Sequence, residues 1–206
     1  MHSLQTLFLL ATAASAVPLW FSEQSSCDIS SASMPSGAIL PPPSGTLYHV
    51  ALGVGSQNYT CSSIGSEPTS VGAVATLYNV SCMAGNEPSI LSSLPSLAVS
   101  LSGSSLSTLA LMGAEQKSGS HYFLDKTTPY FNLDSAGHQY GEAAMHKAAS
   151  ADAPDNTYSV PWLQLQGSEQ FKEVYRVNTK GGMPEQYCAE VGNVEVPYSA
   201  EYWIYV

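Results

Sequence analysis

The chain holds a single arginine, Arg176, in the run EVYRVN, and a glutamate, Glu201, set among aromatic residues in YSAEYWIY. A carboxylate buried among rings needs a partner, because an unpaired buried charge is costly. A guanidinium can meet it through two parallel hydrogen bonds. Two readings follow: a structural ion pair, or an arginine that grips a carboxylate or a sugar hydroxyl in a cleft. Aromatic side chains supply rigid contact area and can stack on sugar faces. The candidate ligand-binding set is therefore His121, Tyr122, Trp162, Arg176, Tyr198, Glu201 and Trp203. Tyr175, Tyr202 and Tyr205 belong to the same aromatic pool, most of which a β domain of this size needs for its core.

Other chemistries find less support. His121, His138 and His146 fall in one region with Asp125, Asp134 and Glu142, but no spacing among them is a metal motif, and no metal or cofactor is expected. A glycosidase needs two carboxylates at a set separation, and the spacing singles out no pair. The serine elbow G-x-S-x-G is absent, DSAG at Asp134 has no aspartic partner, and no catalytic residue is assigned. A copper oxygenase of polysaccharides would need histidine at the mature N-terminus, where the expected cut leaves Val17. Gly53-Val54-Gly55 follows an apolar run, yet the third glycine of a dinucleotide loop is replaced by Asn58, and YTCSS continues in strand-like fashion. The glycines read instead as a hairpin or bulge between strands at 47–54 and 56–62.

The elements that must position these residues begin after a leader. Leu7 to Leu10 form a short apolar region and Ala14-Ser15-Ala16 a small-x-small site, the pattern of a secretory signal peptide (residues 1–16) cleaved after Ala16. Residues 17–46 are a Ser/Pro-rich N-terminal arm, and 47–206 a single β domain. The expected setting is secreted and extracellular. Acidic residues outnumber basic ones, 16 to 6, and no Lys or Arg precedes Lys117. The basic stripe that nucleic acid requires is missing, and neither nucleic acid nor membrane is an expected partner. Four cysteines, Cys27, Cys61, Cys82 and Cys188, favour two disulfides in such a chain, with three pairings open.

NYTC and NVSC each place an N-glycosylation acceptor, Asn58 and Asn79, directly before a cysteine. On strands, each asparagine would face out while Tyr59 and Cys61, or Tyr78, Val80 and Cys82, face in. Further strands are expected at 72–83, 120–124, 129–133, 140–148, 160–166, 171–178, 186–188, 193–197 and 199–206, with a surface loop at 150–159. Residues 87–112 have helix-like apolar spacing broken by Pro95, and read as two short helical turns followed by a flexible link. The fold class is all-β: an antiparallel β-sandwich or barrel with one or two short helices.

LYHVALGVGSQNYTC, ATLYNVSC, GSHYF with TPYFNL, VPWLQLQ, EVYRVNTKGG and VPYSAEYWIY together resemble, in order and over nearly the whole mature chain, a family of secreted fungal proteins. Its bacterial relatives are catalogued as a domain of unknown function. The resemblance implies an all-β domain without an established activity. Fungal members are sometimes labelled malate dehydrogenase, which the missing cofactor fingerprint does not support; an NAD-dependent malate dehydrogenase is not expected. The cysteines shared with bacterial relatives imply Cys61–Cys188, leaving Cys27–Cys82. The functional expectation is a secreted, non-catalytic binding protein for carbohydrate or a small polar ligand. The alternatives are an extracellular hydrolase using carboxylates and a structural cell-wall or matrix protein. The sequence leaves the oligomeric state open.

Overall fold

The computed structural model describes residues 27–37, 39–101, 117–135 and 137–206. The expected signal peptide with its expected cut after Ala16, the start of the arm and the Ser/Gly link expected after the helical turns lie outside these residues. Nine strands form one antiparallel sheet: β1 (Leu47–Cys61), β2 (Thr69–Asn79), β3 (Lys117–Phe123), β4 (Pro129–Asp134), β5 (Gln139–Ala144), β6 (His146–Ala151), β7 (Trp162–Gln166), β8 (Glu173–Gly181) and β9 (Gly192–Tyr205). Among the described residues two helices, α1 (Ser81–Asn86) and α2 (Pro88–Ser100), follow β2. The strand order is β5-β4-β3-β2-β1-β9-β8-β7-β6, so the chain meanders outward from β1 on one side and returns to it through β9. The sheet curls into a half-barrel. Its two edge strands, β5 and β6, are joined end to end through Met145 alone.

Alternation of side chains sorts the core into two layers. One layer unites Ala73 and Leu77 of β2, Phe131 of β4, Ala143 of β5, Leu165 of β7 and Tyr198 and Tyr202 of β9. Side chains from strands so far apart in the sheet meet only across the concave interior. The other layer joins Val50, Leu52, Tyr175, Val177, Trp203 and Tyr205 to Leu91, Leu94 and Ala98 of α2, with Met34 and Leu40 of the arm packed against it. The helices and arm thus cover the convex face of β1, β8 and β9. Because hairpins alternate ends, the β1–β2, β3–β4, β6–β7 and β8–β9 connections share one end of the half-barrel, here called the loop end. The helices leave from the other.

Several expected boundaries move, each for a physical reason. The two strands expected at 47–54 and 56–62 are one strand, and Gly53 and Gly55 are not a turn. A Cβ on Gly53 would lie 2.8 Å from Cδ2 of the Tyr202 ring, and one on Gly55 2.7 Å from the Cα of Ala75. The glycines mark close approach inside the sheet, which periodicity cannot distinguish from a turn. The 193–197 and 199–206 runs likewise merge into β9. Residues 186–188 are not a strand but part of the β8–β9 loop. The 140–148 run splits at Met145, where the chain crosses between sheet edges. β2 ends at Asn79, so Val80 to Cys82 are not strand. Asn79 Oδ1 accepts the Ser81 N–H at 3.0 Å, and Ser81 and Cys82 open α1. Pro95 does not break α2; it is buried within it, and Pro88 stands at its N-terminus.

Candidate functional site

The interior of the half-barrel is polar on one side. Arg176 of β8 pairs with Tyr202 of β9, and Val177 with Glu201. Partners across a ladder share a face, so Arg176 and Tyr202 point inward while Glu201 points to the convex side. The expected Arg176–Glu201 pair is therefore not formed. Glu201 accepts instead from Asn178 Nδ2 at 2.7 Å and from Trp203 Nε1 at 2.9 Å, and Asn178 also donates to the Ser92 carbonyl of α2 at 2.8 Å. Asn178 adopts φ 46° in an irregular stretch of β8, where the left-handed turn aims its amide at both. Burial raises the Glu201 carboxyl above its usual range, and the two donors hold it back. It serves as a polar pin between sheet and helix.

Arg176 is 8% exposed. Its Nη2 donates to the Pro161 carbonyl at 2.9 Å, and its Nε has no hydrogen-bond partner. Among the described residues it forms no ion pair. The titratable groups on which its charge acts are Tyr59, His121, Tyr198 and Tyr202. Burial raises the three phenols, most of all Tyr198, and lowers His121 to about 4, so all four are uncharged near neutrality. The Tyr198 and Tyr202 hydroxyls meet at 2.8 Å. His121 stacks on Phe131 with ring centroids 4.4 Å apart, and its Nδ1 lies 3.0 Å from the Tyr130 carbonyl.

Gly182 gathers further polar groups toward the loop end. Tyr59 Oη donates to its carbonyl at 2.7 Å, and Ser159 bridges to it. A Cβ there would stand about 3.0 Å from Gln57, Tyr198 and Val160 side chains, and its φ of 88° favours glycine. Gln57 Nε2 and Ser159 Oγ, both buried, have no hydrogen-bond partner. Three polar atoms that can donate, one on a guanidinium, thus lie in the same half of the interior, where among the described residues the acceptors beside Gln57 and Arg176 are the neutral Tyr198 and Tyr202 hydroxyls. Buried donors in folded proteins are normally satisfied.

Beyond this cluster the loop end is concave. Gly192–Pro197 of β9 pair with β1 alone, since β8 pairs with β9 only as far as Tyr198. The β8–β9 loop folds over the inner face of this overhang, tied by Cys61–Cys188 and by reciprocal backbone bonds of 2.8 Å between Cys188 and the Gly65–Ser66 turn. The resulting cavity of about 440 Å³ is lined by Met183, Tyr187, Val191, Val194 and Val196, with Glu185, Glu190 and Asn193 also on its wall. Tyr187 and Tyr158, on adjoining loops linked by the Met183 N–H to the Tyr158 carbonyl, are 56% and 71% exposed. Exposed apolar side chains gather here: Ile64, Tyr158, Met183, Tyr187, Val191 and Val194.

The sequence-derived candidates divide between the two faces. His121, Arg176 and Tyr198 come together inside. Trp162, Glu201 and Trp203 lie buried on the convex side, where the two indoles are 4% and 1% exposed and offer no face to a polysaccharide. Tyr122 lies on the face of β3 opposite His121, against Tyr130 with centroids 5.3 Å apart. The histidines and acids weighed as metal ligands also diverge. His121 is interior, His146 is exposed on β6, and Asp125 is occupied by Thr127 and Thr128 in the β3–β4 loop. Among the described residues no cluster of three or more such ligands forms. Gln57, Ser159 and Tyr187 escape the sequence reading, which places Tyr59 on a buried face and Tyr202 in the aromatic pool without giving either a ligand role. Splitting β1 and β9 hid the alternation that puts Gln57 and Tyr59 with Tyr202. Tyr158 and Tyr187 sit on loops whose approach only the register reveals.

Two disulfides, Cys27–Cys82 and Cys61–Cys188, close the described chain, and no described helix is long and apolar enough to cross a membrane. No curated protein and no solved structure matches the chain. A family model does, over residues 41–206, from the last prolines of the arm through β9. The chain belongs to DUF3455, a family described as protein of unknown function.

Proposed function

We propose that this is a secreted, extracellular, non-catalytic binding protein that takes a small polar ligand at the loop end of its half-barrel. The observation that carries the reading is the cavity of about 440 Å³ under the β8–β9 loop, within the size range of small-molecule sites and walled by exposed Tyr187, Met183 and Val191 beside polar Glu185 and Asn193. The disulfides and the leader-like N-terminus support the extracellular setting. Asn58, on the face opposite Tyr59 and Cys61, and Asn79 are the proposed glycan acceptors. A carboxylate hydrolase is less well supported, because the two buried glutamates are already engaged. Glu201 pins α2, and Glu173 receives the arm. A flat polysaccharide platform is disfavoured by the burial of Trp162 and Trp203.

The test is a thermal-shift screen of the mature oxidised protein against soluble sugars, small acids and polyols, alongside retention on chitin, cellulose and β-glucan. A bound solute raises the midpoint with concentration, as mass action requires. The expected result is such a rise for at least one small solute, abolished in Tyr187→Ser, a surface change that alters stability by less than about 0.5 kcal/mol. Strong retention on an insoluble polymer that Tyr187→Ser leaves intact, with no soluble solute shifting the midpoint, would overturn the reading.

A further inference from the structure

We propose that the ligand of this protein carries a carboxylate, and that the carboxylate is bound by Arg176 inside the half-barrel, below the loop-end cavity. The inference rests on the binding reading above and supplies its ligand class. Three observations carry it. The chain's only arginine is directed into the interior and, among the described residues, stands there as a lone cation: its neighbours Tyr59, His121, Tyr198 and Tyr202 are uncharged, and the buried glutamates described, Glu173 and Glu201, occupy the convex side. A buried charge without a counter-ion is expensive enough that proteins rarely retain one. Three buried polar atoms there are vacant: Arg176 Nε and Gln57 Nε2 are donors and Ser159 Oγ can donate, and the acceptors that the described residues set beside Arg176 and Gln57 are the neutral Tyr202 and Tyr198 hydroxyls. What is missing is an acceptor with negative charge, and a carboxylate matches the planar fork of a guanidinium. Arg176, Gln57 and Tyr59 keep 8, 6 and 7% of their surface exposed, whereas Tyr198 and Tyr202 are sealed. Gly182, which positions Gln57 and Tyr59, is followed directly by Met183 of the cavity wall. A ligand whose body lies against Met183 and Tyr187 would reach this cluster with its acidic end.

Because Arg176 is unique, its guanidinium Nε–H gives one assignable side-chain resonance in a nitrogen-15 spectrum of the uniformly labelled protein, and the experiment needs no substitution to begin. Acetate is titrated against that resonance, with acetamide as the neutral isostere and chloride as the ionic-strength control. The expected result is a saturable shift with acetate and none with acetamide or chloride. Arg176→Lys, which keeps the charge and loses the fork, should weaken acetate binding at least tenfold as followed on the Gln57 side-chain amide. A resonance that exchanges with water and ignores acetate would overturn the carboxylate assignment, since the donors are then satisfied by hydration. If neutral solutes still stabilise the protein through Tyr187 in that case, only the ligand class has failed. If no solute binds at either place, the binding reading falls with it.

Discussion

His49 and His121 are both held uncharged inside the half-barrel, and their environment ties stability to acidity. Burial lowers each from 6.5 to about 4. The charge of His138, whose ring stacks on Tyr140 beside His49, adds to the first shift, and Arg176 to the second, against an opposing hydrogen bond to the Tyr130 carbonyl. Between pH 6.5 and 4 the unfolded chain binds protons at these sites that the folded chain refuses, so stability falls as pH falls through that window. Each site contributes on the order of 3 kcal/mol across it. Glu201 acts in the opposite sense: its raised carboxyl favours the folded form at low pH, and this stability is lost as pH rises through its folded value, so the net slope is shallower than two histidines alone would give. The unfolding free energy from urea titrations should therefore decline below pH 6.5. His121→Phe, which keeps a ring on Phe131, should lower the slope by about one proton whatever it does to absolute stability. An unchanged slope would mean that His121 is protonated in the fold.

At the scale of elements, a buried carboxylate is a main anchor of the arm on the sheet. Glu173 Oε2 accepts the Ser44 N–H at 2.7 Å, the Ser44 hydroxyl at 3.2 Å and the Gly45 N–H at 3.3 Å, while Oε1 accepts from Gln164 at 3.0 Å. Gln164 also bonds the Tyr175 hydroxyl, which donates to the Pro41 carbonyl at 2.9 Å. The proline run cannot pair into a sheet from its own nitrogens, so side chains hold it where strands would use backbone. Hydrogen bonds to a charged acceptor are worth roughly 1.5–3 kcal/mol. Glu173→Gln, which removes the charge and leaves one accepting oxygen where two serve the arm and Gln164, should cost about 2 kcal/mol and speed exchange of the Ser44 and Gly45 amides, leaving the β1–β9 amides protected. Equal acceleration in β9 would show that Glu173 supports the sheet rather than the arm. This clamp was not legible in the sequence, because Ser44 and Glu173 lie 129 residues apart and nothing local marks either. The elements themselves were largely legible from alternation and turn residues. What local pattern cannot supply is phase: a glycine or a proline reads as an end even where tertiary packing makes it tolerable, as at Gly53, at Pro95 and at Pro197 within β9.

At the scale of the whole molecule, the curvature that creates the interior rests on unequal side chains around the sheet. β1 and β2 present Ala51, Gly53, Gly55, Ala73 and Ala75 inward, and β9 presents Tyr198 and Tyr202. The Tyr202 ring lies over Gly53 and reaches Phe131 of β4 and His121 of β3, with centroids 5.4 and 5.7 Å away, although β2 and β1 separate β9 from β3 in the sheet. Small residues on two central strands give the large rings room to cross the interior, and the crossing holds the distant strands together. The same arrangement sets Tyr202 beside Arg176, so the packing that curves the sheet also shapes the proposed site. A side chain at Gly53 would push the ring away, and overpacking of this kind costs typically 1–3 kcal/mol. Gly53→Ala should destabilise within that range. In Tyr202→Leu, where the ring is gone, the same Gly53→Ala change should cost far less, giving a coupling of more than about 1 kcal/mol in a double-mutant cycle read from chemical denaturation. Additive effects would place the role of Gly53 in its backbone approach to a neighbouring strand, as at Gly55, and the curvature would then need another cause. A coupled result combined with a weakened acetate response of the Arg176 resonance in Gly53→Ala would tie the curvature and the ligand site to one tyrosine ring.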